Sequence, residues 1–438
     1  MKRIVVLGGG ISGYGSAILA KKQGFEVFLS DRGELDAKYV ALLEQWGVDF
    51  EQGGHTEELI LSADEVIKSP GIPDTAPLVA ALRAKGTPII SEIEFAGRYL
   101  GDSKVICITG SNGKTTTTSL IYDILRGAGY DVALGGNIGE SFAYSVATRP
   151  AEWYVLEISS FQLDGMYDFR AEISVLLNIT PDHLDRYEYK FENYAASKMR
   201  VAQNQTEAEH FIYSADDETI QSLLGGVGAT MHPFSKEDID EGFIETDTLT
   251  IDTERLQIKG LHNAYNVMAA ALAAEAAGVD GDQIVEALYK FSPVEHRLEP
   301  AGVAARVTYI NDSKATNVDS VWYALDSMTR PVVWIAGGTD KGNDYEPLKE
   351  LARKKVHTLV CMGVDNTALQ SAFEGVVKSV ISTPTLDSAM MAARKAAREG
   401  DVVLLSPACA SFDLFKNYED RGRQFKAWVK NISGERRG

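Results

Sequence analysis

The sequence predicts an α/β protein built on parallel sheets, and three similar segments are the basis of this prediction. Each has a β-branched apolar run, a glycine-rich turn and then a helical stretch. The runs are Ile4–Leu7, Val105–Ile108 and Val332–Ile335, and the turns that follow read GGGISG, TGSNGKT and AGGTDKG. Strands that alternate with helices form parallel sheets, and ligands bind at the carboxyl ends of their strands.

The length of 438 residues exceeds what one hydrophobic core can fill and predicts about two to four domains. We place one boundary near residue 95, after the strand Pro88–Ile90 and the helical SEIEFAGRYL. We place another near residue 295, where SPVEHRLEP ends an alanine-rich helical stretch. The predicted domains therefore span residues 1–95, 96–295 and 296–438.

Composition argues against several function classes. A net charge of −19 disfavours nucleic-acid binding, because phosphate backbones attract basic surfaces. Three widely spaced cysteines form neither a disulfide framework nor a zinc site. There is no run of about 18 apolar residues and no secretory signal pattern, so we expect a cytoplasmic protein without membrane contact. No coiled-coil pattern occurs, and we expect a monomer.

The segment Thr109–Thr116, TGSNGKTT, is the strongest signal for a phosphate-binding site. Its glycines let the backbone approach phosphate oxygens, and backbone N–H groups at a helix N-terminus supply positive potential. Lys114 can reach the β- and γ-phosphates of a nucleotide, and the Thr115 hydroxyl can bind Mg²⁺. The strict P-loop has a glycine five residues before Gly113, where this chain has Ile108, so the loop is a shortened relative.

Two further polar residues suggest a metal site in the central domain, and a helical lysine follows them in the chain. Glu157 ends the strand in WYVLEISSFQL, where a carboxylate ligand for Mg²⁺ is expected. His183, in LLNITPDHLDRY, follows another buried strand, and we expect it to contact a metal or substrate at the same sheet edge. Lys198 lies in the helical FENYAASKMRVA, where a single lysine is normally a solvated charge. These residues predict a nucleotide-dependent enzyme but do not identify its reaction.

The N-terminal Gly8-x-Gly10-x-x-Gly13, with Asp31 after the second strand, matches a dinucleotide-binding fingerprint. On this motif alone NAD binding is favoured, and the corresponding function is an NAD-dependent oxidoreductase. The GKTT loop has no role in such an enzyme, and neither have the three polar residues of the central domain.

Over nearly the whole chain, the order and spacing of the motifs resemble those of the Mur ligases. The matching motifs are TGSNGKTTT, LEISSFQL, NITPDHLDRY followed by YAASKMRV, LHNAYNVMAA, EHRLE, NDSKATN and GGTDKG. The resemblance implies three α/β domains: Rossmann-like first and third domains and a central P-loop-type mononucleotide-binding ATPase domain. It also implies an ATP-dependent amide ligase that converts a carboxylate to an acyl phosphate and passes the acyl group to an amine.

The N-terminal GGGISG, the SPGIP segment and the ending SPACASFDLFKNYEDRGRQF most resemble one branch of this family. That branch adds D-glutamate to UDP-N-acetylmuramoyl-L-alanine (UDP-MurNAc-L-Ala) in peptidoglycan precursor synthesis, and so serves cell-wall biogenesis, cell shape and cell division.

The resemblance also implies the roles of single residues in the central site. Lys198 falls where the family has a lysine carbamylated by CO₂, which would make it an anionic oxygen ligand. Thr115 and Glu157 would hold one Mg²⁺, and His183 with carbamylated Lys198 a second. The implied catalytic residues are Lys114, His183 and Lys198. The implied ATP contacts are Gly110, Ser111, Asn112, Gly113, Lys114, Thr115, Thr116, Asn266, Arg297 and Asp312.

The resemblance also implies which residues contact the other two substrates. The implied contacts of the UDP substrate are Ile11, Ser12, Gly13, Asp31, Arg32, Ser69, Gly71 and Asn137. Those of D-glutamate are Lys314, Thr316, Lys341, Ser411, Phe412 and Tyr418. Cationic and hydroxyl groups suit an amino acid with two carboxylates. Tyr418 stands where the family has phenylalanine, so an aromatic ring is retained. The general base for the amine is left open between His183 and Asp182.

Two other interpretations are considered. A different amide ligase of the superfamily, of the L-alanine-adding or folylpolyglutamate type, is the near alternative. The dinucleotide-like first domain and the SPACASFD run argue against the folate type. A non-catalytic nucleotide-binding regulator is expected to lack Glu157 or Lys198, and both are present.

Overall fold

The computed structural model describes residues 2–292, 295–340 and 342–434. They form two compact units. The first consists of residues 2–256 and 263–291, and the second of residues 257–262 and those described from 292 onward. The first unit contains two parallel sheets and a small antiparallel sheet, and the second contains one mostly parallel sheet. In the described part of the chain, no helix combines the length and apolar character needed to cross a membrane.

The first parallel sheet is formed by short, buried apolar strands, which need helices on both faces. Its strands are β1 (Arg3–Leu7), β2 (Glu26–Ser30), β3 (Asp49–Glu51), β4 (Glu65–Lys68) and β5 (Ile89–Ile90). The accompanying helices are α1 (Ile11–Lys22), α2 (Ala37–Gln45), α3 (Glu57–Leu61), α4 (Pro77–Ala84) and α5 (Glu92–Gly97). The strand order is β3-β2-β1-β4-β5, so the topological switch point lies between β1 and β4, where ligands bind in such sheets.

The central sheet carries the phosphate loop. Its strands are β6 (Lys104–Thr109), β7 (Val132–Gly136), β8 (Trp153–Glu157), β9 (Ile173–Leu176), β10 (His210–Ser214) and β11 (Thr230–Phe234). Its helices are α6 (Lys114–Gly127), α7 (Phe142–Thr148), α8 (Ser160–Leu163), α9 (Phe191–Met199) and α10 (Glu218–Leu223). The order is β11-β10-β9-β6-β8-β7. Strand β6 therefore lies between β8 and β9, and the segments that follow these three strands meet at one edge.

A small antiparallel sheet and two helices complete the first unit, and none of the three strands follows from the sequence patterns. The strands are β12 (Ile239–Asp240), β13 (Phe243–Glu245) and β14 (Thr250–Asp252). The helices are α11 (Leu261–Ala276) and α12 (Gly281–Lys290), which together make up the alanine-rich stretch. Leu261 and His262 of α11 belong to the second unit.

The first two parallel sheets are joined by polar contacts as well as by packing. The hydroxyl of Tyr14 in α1 donates to Glu140, which lies just before α7. One carboxylate oxygen of Glu94 in α5 accepts the backbone N–H groups of Tyr167, Asp168 and Phe169 at 2.9–3.1 Å. Glu94 is buried, and these three donors satisfy it.

The third parallel sheet lies in the second unit and has one antiparallel edge strand. Its strands are β15 (Glu299–Ala304), β16 (Val307–Asn311), β17 (Val332–Ala336), β18 (Val356–Met362), β19 (Ser379–Thr383) and β20 (Val402–Leu405). Its helices are α13 (Val318–Asp326), α14 (Lys349–Lys355), α15 (Thr367–Phe373), α16 (Leu386–Ala396) and α17 (Tyr418–Gly434). The order is β15-β16-β20-β17-β18-β19, and only β15 is antiparallel to its neighbour.

The glycine turn after β17 is followed by helical structure, but only after a short gap. The 3₁₀ segment Glu346–Leu348 comes first, and α14 begins at Lys349. Between the turn and this helix, Asp340 Oδ1 accepts the N–H groups of Gly342 and Asn343 at 2.8 and 2.9 Å. Such side-chain capping of a turn competes with helix formation.

Candidate active site

The loop between β6 and α6 requires glycine at two positions. Gly110 and Gly113 have φ angles of 152° and 86°, which other residues rarely adopt. A Cβ atom on Gly113 would lie 2.3 Å from Asn266 Oδ1 and 3.1 Å from a Leu177 methyl carbon. The backbone therefore passes close to α11 and then enters α6, whose first N–H groups point out of the helix end. This end is suited to bind phosphate.

Asn178, two residues beyond β9, braces this loop. Its carbonyl accepts the Ser111 N–H at 3.0 Å, and its Oδ1 accepts the Asn112 N–H at 2.8 Å. Its Nδ2 donates to the Asn112 carbonyl at 3.2 Å. The Ser111 hydroxyl also donates to the Thr180 carbonyl at 2.8 Å. The loop is thus held in shape by the neighbouring strand, as expected of a preorganised phosphate site.

Lys114 is the first residue of α6, and its ammonium lies over the loop. It donates to the carbonyls of Gly110 and Ser111 at 2.7 and 2.8 Å. A cation in this position over the loop is suited to contact an anionic ligand.

Thr115 and Glu157 come together below the loop. The Thr115 hydroxyl donates to Glu157 Oε2 at 2.6 Å, and the Asn137 side-chain amide donates to Glu157 Oε1 at 2.8 Å. The Asn137 backbone N–H also donates to the Glu157 carbonyl at 2.8 Å. The Glu157 side chain is buried. A hydroxyl and a carboxylate with oriented oxygens are ligands that suit Mg²⁺.

Lys198 lies on α9 and is only 2% exposed, so the expectation of a solvated helix lysine is wrong. Its Nζ donates to the Gly110 carbonyl at 2.7 Å and to Thr109 Oγ1 at 3.3 Å. Burial holds the pKa of the Lys198 ammonium well below its usual range, and the nearby Lys114 charge acts in the same direction. A neutral amine is the form of lysine that reacts with CO₂.

Two aromatic residues help to shape this part of the site. The Tyr194 ring centroid lies 5.2 Å from Lys198 Nζ, and its hydroxyl is 3.0 Å from Ser111 Oγ. Phe161 lies 5.1 Å from the His183 ring, centroid to centroid. His183 has a positive φ of 52°, is about a third exposed, and has Nε2 3.7 Å from Asp182 Oδ2. It therefore lies at the rim of the site.

Asn266 and Thr116 complete the implied ATP contacts of the first unit. Asn266 Oδ1 accepts from the Thr117 hydroxyl at 3.2 Å, and its Nδ2 donates to Asn263 Oδ1 at 3.1 Å. Asn266 and Thr116 are buried. Asn266 is therefore oriented directly beside Gly113.

The turn between β1 and α1 has the geometry of a nucleotide-binding fingerprint. A Cβ atom on Gly13 would lie 1.8 Å from the Gly8 carbonyl oxygen, whereas one on Gly10 would meet no atom within 4 Å. Asp31 accepts the N–H groups of Gly9 and Gly33 at 2.6 and 2.7 Å. These carboxylate contacts fix the turn from the end of β2.

The other implied contacts of the UDP substrate surround the same turn. Ser69 follows β4 and donates to the Gly8 carbonyl at 3.3 Å. Ser12 interacts with the buried carboxyl of Glu92. Ile11, Arg32 and Gly71 are exposed. Asn137 is placed differently, because its amide contacts Glu157 in the central domain.

In the second unit, Asp312 lies directly after β16 and is buried. Its Oδ1 accepts the Leu298 N–H at 3.1 Å, and its Oδ2 accepts the Ser406 hydroxyl at 2.7 Å. Burial raises the pKa of Asp312 to about 6, although the Arg297 charge opposes this shift. Arg297 and Asp312, both implied ATP contacts, therefore influence each other.

The implied D-glutamate contacts lie around the segments after β16 and β20. Lys314 Nζ is 5.4 Å from the Tyr418 ring centroid. Ser411 is 2% exposed and Phe412 is 72% exposed. Thr316 is half-buried. Lys341 lies outside the described residues.

Arg421 is a residue that the sequence patterns did not reveal. It is fully buried on α17, and its guanidinium donates to Ser313 Oγ at 3.0 Å, to the Ser313 carbonyl at 2.9 Å and to the Cys409 carbonyl at 3.2 Å. It thereby joins the segments after β16 and β20. One sequence pattern could have pointed to Arg421. It lies three residues after Tyr418, and this spacing places both residues on one helix face.

Three segments of the chain match domains of known proteins in order. Residues 3–77 match the MurD N-terminal domain, residues 108–274 the Mur ligase middle domain, and residues 296–409 the "Mur ligase, glutamate ligase domain". A UDP-N-acetylmuramoylalanine--D-glutamate ligase of Bacteroides fragilis is 53% identical over 445 residues, covering 99% of this chain and 100% of that protein. The enzyme of the same name from Bacteroides thetaiotaomicron is 52% identical with the same coverage.

The chain belongs to the Mur ligase family. Its fold agrees with that of a MurF ligase from Thermotoga maritima solved in complex with ADP, with a TM-score of 0.62 and 14% identity over 96% of this chain and 99% of that one. The prediction of three α/β domains of the Mur ligase type is confirmed. As a Mur ligase, the protein is an ATP-dependent enzyme that forms a peptide bond. Family membership excludes the NAD-dependent oxidoreductase and the non-catalytic regulator.

Proposed function

We propose that this Mur ligase joins D-glutamate to the alanine carboxylate of UDP-MurNAc-L-Ala, in the cytoplasmic synthesis of peptidoglycan precursors. The observation that carries the proposal is the 53% identity, over the full length of both proteins, to an enzyme named for this reaction. The match of residues 3–77 to the MurD N-terminal domain favours it over the L-alanine-adding type. We further propose that the enzyme acts as a monomer.

The proposed first step is transfer of the γ-phosphoryl group of ATP to the alanine carboxylate. A carboxylate is a poor electrophile because its leaving group would be oxide, and phosphorylation converts one oxygen into a good leaving group. Two anions must approach each other for this transfer. The Lys114 ammonium and the N–H groups at the start of α6 reduce their repulsion and stabilise charge on the transferred group.

The residues around Glu157 fit a Mg²⁺ ion. The buried carboxylate, beside the Thr115 hydroxyl at 2.6 Å, offers the hard oxygen donors that Mg²⁺ prefers. Bound there, Mg²⁺ would supply charge neutralisation for the ATP phosphates. Asn137 orients the carboxylate from its other oxygen, and it is also proposed to contact the UDP substrate.

Lys198 is proposed to carry a carbamate. The reaction joins the neutral amine to CO₂ through a new N–C bond and releases one proton. Burial supports it, because it favours the neutral amine. The product is an anionic oxygen ligand, and with the His183 imidazole it would hold a second Mg²⁺.

The second proposed step is attack of the D-glutamate amine on the acyl phosphate. The C–O bond to phosphate breaks, phosphate leaves, and the amine loses a proton to His183 or Asp182. Lys314, Thr316, Lys341, Ser411, Phe412 and Tyr418 are proposed to hold the amino acid. Cationic side chains suit its two carboxylates, and exclusion of water protects the acyl phosphate from hydrolysis.

The proposal predicts that purified protein releases ADP from ATP in the presence of Mg²⁺ and UDP-MurNAc-L-Ala only when D-glutamate is added. Coupled-enzyme absorbance measures the release, and mass spectrometry measures the dipeptide product. L-alanine with UDP-MurNAc is the control for the other ligase type. ADP release that depends on L-alanine and not on D-glutamate would contradict the proposal.

A further inference from the structure

Arg186 lies three residues beyond His183, at the end of the 3₁₀ helix Leu184–Arg186, and the steps above give it no role. Its guanidinium carbon is 4.3 Å from the centroid of the Phe161 ring. Its NH2 group donates to the Pro70 carbonyl at 3.4 Å, at the long end of hydrogen-bond distances. The side chain therefore spans from the His183 segment to the Ser69–Gly71 turn of the first domain.

Two contacts hold the Arg186 guanidinium, one with the Phe161 ring and one with the Pro70 carbonyl. Among the side chains that the structure describes, no carboxylate forms an ion pair with it. A second cation, Lys68, donates to the Ile72 carbonyl at 2.7 Å in the same turn. Lys68 Nζ lies 3.5 Å from Asp74, which also pairs with Arg83. Lys68 and Arg186 are thus two cations close enough to influence each other beside the Ser69–Gly71 turn.

Phe161 fixes the direction in which Arg186 points. The same ring packs edge-on against the His183 imidazole, 5.1 Å between centroids. His183 and Arg186 therefore share one aromatic support. A guanidinium held over a ring loses less freedom on binding, and its N–H groups can still donate to an anion.

We propose that Arg186, which links the His183 segment to the Ser69–Gly71 turn, binds an anionic group of the nucleotide-linked substrate. The group is either the diphosphate or the terminal carboxylate, since a guanidinium binds both through paired hydrogen bonds. This inference rests on the proposed function, because it takes the UDP-linked peptide acceptor as the ligand of the first domain.

Binding of three ligands to the full-length protein, measured by calorimetry, tests the inference. The ligands are UDP, UDP-N-acetylglucosamine and UDP-MurNAc-L-Ala, and only the last carries a carboxylate. Arg186→Gln is expected to weaken binding of UDP-MurNAc-L-Ala by about 10- to 100-fold, as for loss of charged hydrogen bonds. An equal loss of affinity for all three ligands would identify the diphosphate as the group that Arg186 binds. A loss of affinity confined to UDP-MurNAc-L-Ala would identify the carboxylate. Arg186→Lys keeps the positive charge but loses the paired N–H donors of the guanidinium, and it is expected to give an intermediate affinity.

Arg126→Gln is the matched control, because Arg126 also stacks on a ring, 5.2 Å from the Tyr122 centroid, far along α6 from the phosphate loop. It is expected to bind all three ligands like the wild type. If Arg186→Gln keeps the wild-type melting temperature and wild-type affinity for every ligand, the role of Arg186 is refuted while the proposed function stands. If the wild type neither binds UDP-MurNAc-L-Ala nor turns it over, the proposed function itself fails.

Discussion

Replacing Lys198 with alanine is expected to lower D-glutamate-dependent ADP release by about 10²- to 10³-fold, the range seen when one preorganised electrostatic group is lost. The reason is the loss of the proposed carbamate, which would be an anionic metal ligand at this place. Added formate, acetate or propionate is expected to restore part of the rate, because a small carboxylate fits the space of the carbamate. Initial rates with and without each carboxylate measure the effect.

Lys190→Ala is the control for this experiment. Lys190 directly precedes α9, is exposed and pairs with Glu188 at 2.8 Å, so its loss is expected to leave the rate unchanged. Two results would count against the carbamate. One is a rate for Lys198→Ala within threefold of wild type, and the other is a low rate that no small carboxylate improves although the variant is folded.

Lys114→Ala is expected to lower kcat by about 10³-fold with little change in the affinity for UDP-MurNAc-L-Ala. The Lys114 ammonium is oriented over the phosphate loop by the Gly110 and Ser111 carbonyls, so we expect it to act on the ATP phosphates and not on the UDP-linked substrate. Steady-state rates give kcat, and calorimetry gives the affinity. Lys104→Ala, at the opposite end of β6 from the loop, is the matched control with unchanged kcat. If the kcat of Lys114→Ala is close to that of Lys104→Ala, Lys114 has no role in the phosphoryl-transfer step.

The phosphate loop and its surroundings were predictable because they are local in sequence. The apolar run before TGSNGKTT and the helix after it are readable from pattern alone, and the structure has both as β6 and α6. Glu157 was predictable for the same reason, since it ends an apolar strand. The burial of Lys198 was not readable from pattern, because its helix has polar neighbours. Only the family resemblance indicated a function for it.

Contacts between distant segments could not be derived from pattern. Asn178 braces the phosphate loop from 66 residues away, and Arg421 reaches Ser313 across 108 residues. The residue type alone indicates no such role, because an asparagine after a strand and an arginine on a helix usually face water. The same holds for Asn137, whose contact with Glu157 depends on how β7 and β8 pair.

The acyl phosphate is the central claim of the proposed mechanism, and transfer of oxygen tests it most directly. UDP-MurNAc-L-Ala labelled with ¹⁸O in both oxygens of its alanine carboxylate is converted with ATP and D-glutamate, and the released phosphate is analysed by mass spectrometry. Phosphate carrying one ¹⁸O atom per turnover is the predicted result, because the carboxylate oxygen that attacks ATP leaves with the phosphate. Phosphate without ¹⁸O, formed while the labelled substrate is converted to product, would contradict the acyl-phosphate mechanism.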